Sequence, residues 1–145
     1  MMLSQPSEWE NPLTTLGHLM NKDVQKIDPD ATVQEAALTM KEKRIGALLV
    51  EREGQVVGII TETDIVRKAV ALGLDLRKKS VGNMMSSPVI TLDQQRTPRD
   101  AHDLMGEAAV RHLGVTKNGK IVGLVSVRDL LLYFKGQSEP KMGID

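Results

Sequence analysis

The chain has 145 residues, the size of one compact domain, and its 19 Lys and Arg balance 19 Asp and Glu, so its formal net charge is zero. This balance and the three aromatic side chains argue against a dedicated nucleic-acid binder, which depends on excess positive charge and on base stacking. The absence of cysteine excludes disulfides, thiol nucleophiles and thiolate metal sites, and the three histidines have no ligand-like spacing, so no metal site is expected.

The first half of the sequence predicts three strands and three helices. Thr32 and Glu35 form a capping box, and Ala36, Ala37 and Met40 follow at helical spacing. The predicted elements are a short helix after Thr15 ending at Met20, a strand at 24–27, a helix over Val33–Lys43, strands at 47–51 and Gln55–Thr61 joined at Gly54, and a helix from 62 through 70 with Gly73 as its left-handed C-cap.

The second half predicts the same order of elements. Thr97 is an N-cap, and Pro98 occupies the first helical position, where its missing N–H costs nothing. Asn118-Gly119 is a strong signal for a two-residue hairpin turn. The predicted elements are a short helix after Ser80 ending at Met85, a strand at 89–92, a helix from Pro98, strands at 112–116 and Lys120–Ser126, and a closing helix through Phe134 with Gly136 as its C-cap.

The two halves are copies of one repeat. When residues 16–66 are aligned with 81–131 without a gap, 14 of 51 positions are identical. Random pairing at average composition gives about three. The pattern is therefore β-α-β-β-α twice, and repeats of this kind are read as one structural unit used two times.

Each repeat closes with a Gly-hydrophobic-x-Thr/Ser-x-x-Asp motif, from Gly58 to Asp64 and from Gly123 to Asp129. In these motifs the chain resembles the cystathionine-β-synthase (CBS) domain, of which two in tandem form a Bateman module; Gly114 departs from the proline found in many members. The resemblance implies an α/β (α+β) fold of two pseudo-twofold repeats packed through their sheets. The expected organisation is an N-terminal extension at 1–12 that contains Trp9, CBS repeats at 13–73 and 80–136, a linker at 74–79 and a flexible C-terminal tail at 137–145.

The closing motif has residue types that suit a nucleotide. Thr61 ends a strand and precedes a helix, so its hydroxyl and the free N–H groups of the helix N-terminus point at one place, which favours an anion. Asp64 lies in the first helical turn, and an ionised carboxylate can accept two hydrogen bonds from the cis-diol of a ribose. The alternative is that Thr61 and Asp64 only cap their helix.

The resemblance implies two ligand clefts, each combining the closing motif of one repeat with the early strands of the other. The first cleft would contain Ile59, Thr61, Thr63 and Asp64 with Val89, Ile90, Arg111 and His112. The second would contain Leu124, Ser126, Arg128 and Asp129 with Val24, Gln25, Gly46 and Ala47. We expect the first cleft to bind more strongly, because Arg111 suits bidentate contact with phosphate.

The sequence therefore predicts a regulatory, non-enzymatic CBS-pair module that binds an adenosine-containing ligand and signals to an effector protein. AMP, ADP or ATP fits best; S-adenosylmethionine and NAD(H) remain open, and no cofactor is obligatory. The alternative is a structural homodimerisation module with degenerate clefts. A homodimer through the helical faces is expected from their apolar residues: Ile65, Val66, Ala69, Val70, Leu131, Leu132 and Phe134. Without a signal peptide or ~20 apolar residues in a row, a cytoplasmic protein without membrane contact is expected.

Overall fold

The structure is a computed structural model that describes residues 13–138. The predicted extension at 1–12, with Trp9, and residues 139–145 of the predicted tail lie outside the described residues. The chain forms two compact units. The central unit is Asp23–Val89, and the terminal unit consists, within the described residues, of 13–22 and 90–138.

The central unit is a three-stranded sheet with helices. Its elements are β1 (Lys26–Ile27), α2 (Val33–Lys43), β2 (Ala47–Arg52), β3 (Gln55–Thr61), α3 (Glu62–Asp64), a π-helical segment (Ile65–Val70) and α4 (Val81–Met84). β1 is parallel to β2, and β2 is antiparallel to β3. Leu48, Val50 and Ile60 point from the sheet into a core that also contains Val33 and Ala36 of α2.

The terminal unit repeats this arrangement. Its elements are α1 (Leu16–Leu19), β4 (Thr91–Asp93), α5 (Pro98–Ala108), β5 (His112–Lys117), β6 (Lys120–Ser126) and α6 (Val127–Ser138). β4 is parallel to β5, and β5 is antiparallel to β6. Leu113, Val115 and Val125 form the core with Ala101 and Met105 of α5. The predicted mixed α/β class, with two three-stranded sheets and helices, is confirmed.

The first short helix of each sequence repeat packs in the unit built by the other repeat. Helix α4 belongs to the central unit, where Ser86 and Ile59 exchange two backbone hydrogen bonds of 2.8 and 2.9 Å. A Cβ placed on Gly58 would lie 2.6 Å from Met85 Sδ, so only glycine allows this close approach. In the terminal unit, Met20 lies equally close to Gly123.

The turns and helix ends test the local predictions. Asn118 and Gly119 have φ angles of 52° and 79°, as a two-residue hairpin turn with two left-handed residues requires, and Gly73 has a left-handed φ of 70°. The expectation that Gly136 ends the last helix is wrong, because α6 continues to Ser138. Glycine weakens a helix by about 1 kcal/mol without forbidding helical φ and ψ, so it does not by itself end one.

Two further differences concern the strands and the closing helix of the first repeat. The two short strands begin two residues later than predicted, at Lys26 and Thr91. The closing helix of the first repeat widens into a π-helical segment from Ile65 to Val70, whereas that of the second repeat is a regular α-helix. The two copies of the repeat therefore differ in helix type directly after their closing motifs.

Candidate functional site

Both closing motifs form a hydrogen-bonded cap at the junction between a strand and a helix. In the central unit, Thr61 Oγ1 accepts a hydrogen bond from the N–H of Asp64 (3.2 Å), and Asp64 Oδ2 accepts from the N–H (3.0 Å) and the hydroxyl (3.1 Å) of Thr61. In the terminal unit, Ser126 Oγ accepts from the N–H of Asp129 (3.1 Å), and Asp129 Oδ2 accepts from the N–H of Ser126 (2.8 Å). Each aspartate thus caps its own helix.

Asp64 also takes part in a second set of contacts on its other oxygen. Asp64 Oδ1 accepts a hydrogen bond from the Ser86 hydroxyl (2.7 Å) and lies 2.9 Å from Lys68 Nζ. Lys68 Nζ donates in addition to Ser86 Oγ (3.1 Å) and to the backbone carbonyls of Met84 (3.2 Å) and Met85 (3.3 Å). We call the contacts of Lys68 with Asp64 and Ser86 the Lys68 clamp.

The Lys68 clamp joins a buried carboxylate to a partly exposed ammonium. Asp64 is only 6% exposed, whereas the Lys68 side chain is 42% exposed. A buried carboxylate needs a counter-charge and hydrogen bonds, and here Lys68 and three hydrogen bonds supply both. The Lys68 clamp therefore completes the set of hydrogen bonds and the ion pair around the Asp64 carboxylate.

Asp129 has a different environment, although its motif looks alike. The side chain is half-buried. Within residues 13–138, Asp129 Oδ1 has no hydrogen-bond donor or cation. The repeat places Tyr133 at the position that corresponds to Lys68 and Asn21 at the position that corresponds to Ser86. Since a phenol carries no positive charge at neutral pH, the terminal unit cannot form the same clamp.

The structure divides the predicted site residues between the two units. The central unit contains Val24, Gln25, Gly46, Ala47, Ile59, Thr61, Thr63, Asp64 and Val89. The terminal unit contains Ile90, Arg111, His112, Leu124, Ser126, Arg128 and Asp129.

Within each unit the beginning of the second strand lies beside the closing motif. In the central unit, Ala47 pairs with Thr61, and the carbonyl of Gly46 accepts a hydrogen bond from the N–H of Glu62 (3.0 Å). In the terminal unit, His112 pairs with Ser126, and the carbonyl of Arg111 accepts from the N–H of Val127 (2.8 Å). The backbone of Arg111 and His112 is thus directly attached to the motif that ends in Asp129.

The strand edges hold two more of the predicted residues. The carbonyl of Gln25 accepts a hydrogen bond from the N–H of Leu49 (3.0 Å), and the carbonyl of Ile90 accepts from the N–H of Gly114 (2.9 Å). The side chains of Thr63, Arg111 and Arg128 are exposed. The exposed guanidinium groups are available for phosphate contact, which arginine makes in a bidentate manner.

Sequence reasoning missed Lys68 and Ser86. Lys68 stands four residues after Asp64 on a predicted helix, and this i,i+4 spacing of opposite charges was a usable signal. Ser86 carried no such signal, because its contact with Asp64 depends on the exchange of short helices between the repeats.

Two negative findings apply to the described residues. Within 13–138, no group of three or more His, Cys, Asp or Glu side chains could hold a metal ion. No helix in the same range is long and apolar enough to cross a membrane.

Comparison with known proteins agrees with the repeated architecture. The CBS domain family matches residues 16–71 and 81–136. An uncharacterised 17.7 kDa protein of Acidianus ambivalens is 38% identical over 81% of this chain and 71% of its own length. A putative signal-transduction protein with CBS domains from Burkholderia ambifaria superimposes with a TM-score of 0.83 at 28% identity, covering 89% of this chain and 99% of that one.

A hexameric CBS-CP12 protein from bloom-forming cyanobacteria superimposes with a TM-score of 0.78 at 28% identity, covering 91% of this chain and 80% of that one. The two family matches include the strand-to-helix junctions that carry Asp64 and Asp129. The chain therefore belongs to the CBS domain family and contains two CBS domains.

Proposed function

We propose that this CBS-pair protein is a regulatory module that binds an adenosine-containing ligand and passes the signal to an effector protein. The observation that carries the proposal is the repeated closing motif, in which a carboxylate lies beside a hydroxyl at the junction of a strand and a helix. Its two members, Asp64 and Asp129, are the candidate ribose acceptors, because a carboxylate accepts both hydrogen bonds of a cis-diol.

The neighbouring residues suit the rest of a nucleotide. Apolar strand residues such as Ile59, Val89, Ile90 and Leu124 can pack against an adenine ring. The exposed Arg111 and Arg128 can pair with phosphate oxygens. AMP, ADP and ATP meet both requirements, and S-adenosylmethionine and NAD(H) share the adenosine group. We propose ligand sensing without turnover.

Signalling by such a module needs a partner surface, and the closing helices offer one. Val66 and Val70 are 56% and 54% exposed, and Leu131 and Leu132 are 65% and 58% exposed. Each of the two helices thus exposes a pair of large apolar side chains, and exposed apolar surface of this kind is typical of a contact with another protein. We propose that these helical faces form a homodimer, and the hexameric CBS-CP12 neighbour supports self-association in proteins of this fold.

A second function, homodimerisation without ligand binding, is favoured by one observation. The Asp64 carboxylate already has a protein partner for each of its interactions, so one copy of the motif is used for structure. If Asp129 were likewise without a ligand, the module would be purely structural.

Thermal unfolding with candidate ligands separates the two functions. A ligand present at ~100 times its dissociation constant adds about 2.7 kcal/mol to the free energy of unfolding. For a domain of this size the melting temperature should rise by about 5 to 10 °C with an adenosine ligand and less with the matching guanosine ligand. Absence of a shift with AMP, ADP, ATP, S-adenosylmethionine and NAD(H) would overturn the sensor function. Native mass spectrometry of the same samples reports bound ligand and oligomeric state together.

A further inference from the structure

We propose that Lys68 closes the Asp64 site, so that Asp129 is the carboxylate that receives the ligand's ribose and each chain binds one adenosine ligand. The inference rests on the proposed function and adds which of the two aspartates binds the ligand. Lys68 thereby determines which of the two copies of the motif binds the ligand, because its ammonium occupies the Asp64 carboxylate.

The first step is the hydrogen-bonding capacity of Asp64. An ionised carboxylate offers about four lone-pair positions. Asp64 receives the N–H and hydroxyl of Thr61 on Oδ2, and the hydroxyl of Ser86 and the ammonium of Lys68 on Oδ1. All four positions are therefore taken. A ribose diol needs two of them and would have to displace two donors of the protein.

The second step is the cost of that displacement. Lys68 Nζ is held by Asp64, by Ser86 Oγ and by the carbonyls of Met84 and Met85, at distances between 2.9 and 3.3 Å. Removing Asp64 from this set leaves the ammonium with three neutral acceptors and no counter-charge, and it breaks a 2.7 Å hydrogen bond from Ser86. A ligand diol is neutral and cannot replace the charge of Lys68, so the exchange is unfavourable.

The third step is the contrast with Asp129. Its carboxylate receives one hydrogen bond from residues 13–138, on Oδ2, and its Oδ1 is available for the two hydroxyls of a ribose. Tyr133 replaces Lys68 at the corresponding position and brings no charge. The backbone of Arg111, the basic residue suited to phosphate, is bonded to the same motif through Val127. The sequence predicts the stronger binding site at Asp64. These contacts favour stronger binding at Asp129 instead.

Calorimetry on matched variants tests which carboxylate binds. The full chain is titrated with the adenosine ligand that gives the largest thermal shift, for the wild type, Asp129→Asn and Asp64→Asn. The asparagine variants keep the shape of the side chain and one acceptor oxygen. We expect one ligand per chain, a loss of affinity of about tenfold to a hundredfold in Asp129→Asn, and less than about threefold in Asp64→Asn. The opposite pattern, or two equal sites in the wild type, overturns the proposal.

A second variant tests the role of Lys68 directly. Lys68→Met keeps the apolar stem and removes the ammonium, which frees one lone-pair position on Asp64 and leaves only the neutral, rotatable hydroxyl of Ser86 on Oδ1 for the ribose to displace. We expect a second binding event that is absent from the wild type and from the control Arg67→Met, which changes an exposed charge next to it. A binding curve for Lys68→Met that is identical to that of the control overturns the assignment of Lys68.

A measurement without ligand separates this inference from the proposed function. In nitrogen-15 spectra, a hydrogen-bonded lysine ammonium exchanges its protons slowly enough to be seen, whereas an exposed one such as Lys41 does not. We expect a protected signal that disappears in Lys68→Met and weakens in Asp64→Asn. No protected Lys68 signal overturns the clamp. A protected signal without binding of any adenosine ligand to any variant overturns the proposed function instead.

Discussion

Truncating the two equivalent aspartates should destabilise the protein to very different extents. Asp64→Ala removes a carboxylate that is 6% exposed and has four partners, whereas Asp129→Ala removes one that has a single partner among the described residues. The perturbation has the same chemistry in both cases, and the motifs around the two residues are nearly identical. A difference in stability therefore reports the Lys68 clamp itself.

The magnitude follows from the contacts that each change removes. Loss of the Ser126 N–H contact in Asp129→Ala costs about 0.5–1.5 kcal/mol, the usual net value of a hydrogen bond. Asp64→Ala loses three hydrogen bonds at a buried site and one ion pair. The ion pair is discounted because Lys68 is 42% exposed and regains water. We estimate about 2–4 kcal/mol for Asp64→Ala, which lowers the melting temperature by about 5–15 °C.

Urea unfolding followed by circular dichroism measures both variants against the wild type. Combining Asp64→Ala with Lys68→Met gives a double-mutant cycle, and we expect a coupling energy of about 1 kcal/mol between the two residues. Equal losses in Asp64→Ala and Asp129→Ala, or a coupling energy near zero, would refute the reasoning from the contacts. The result does not depend on whether any ligand binds.

Three further predictions address other parts of the molecule. Gly58→Ala should lose about 1–3 kcal/mol of stability in urea unfolding, because its Cβ would lie 2.6 Å from a sulfur and 2.8 Å from a carbonyl oxygen; Gly106→Ala, with nothing within 4 Å, should not be destabilising. Hydrogen bonds from the backbone and then the side chain of Arg77 lower the pKa of Asp75, so the stability that these bonds add to the folded state is lost as the pH falls through that lowered pKa. In NMR titrations, Arg77→Ala should raise the pKa of Asp75. Leu131→Glu should reduce the sedimenting mass to near 15.9 kDa, and a wild-type monomer would contradict the dimer.

Much of the fold could be predicted from local signals. The capping box of Thr32 and Glu35 exists as two hydrogen bonds of 3.1 Å, and α2 spans the predicted range Val33–Lys43. Asn118 has the left-handed φ that its hairpin turn needs. Each of these features depends on residues within four positions in the sequence, which is why a pattern is enough to predict them. Gly136 shows the limit, since a glycine only permits a helix to end.

Local sequence patterns predict individual contacts of the candidate site, but they do not predict whether its carboxylates have lone pairs free for a ligand. The pairing of Thr61 with Asp64 is local, and so is the spacing of Asp64 and Lys68. The donors that saturate Asp64, however, include Ser86, which is 22 residues away. Whether a carboxylate has a lone pair free for a ligand depends on every hydrogen-bond donor around it, and donors that are distant in the sequence are brought together only by the fold.

The sequence by itself determined that the chain contains one α/β repeat used twice, because identical residues recur at a fixed offset and each local pattern specifies its own element. The tertiary structure decided how these elements are shared between the units. A tandem repeat is equally compatible with each short helix packing in the unit of its own repeat or in the unit of the other repeat. The exchange is seen only where Met85 lies against Gly58 and Met20 against Gly123, since packing selects among arrangements that local propensity leaves equal. That exchange places Ser86 and the carbonyls of Met84 and Met85 around Lys68. The two matching aspartates differ because the equivalent positions of the terminal unit carry Asn21 and Tyr133.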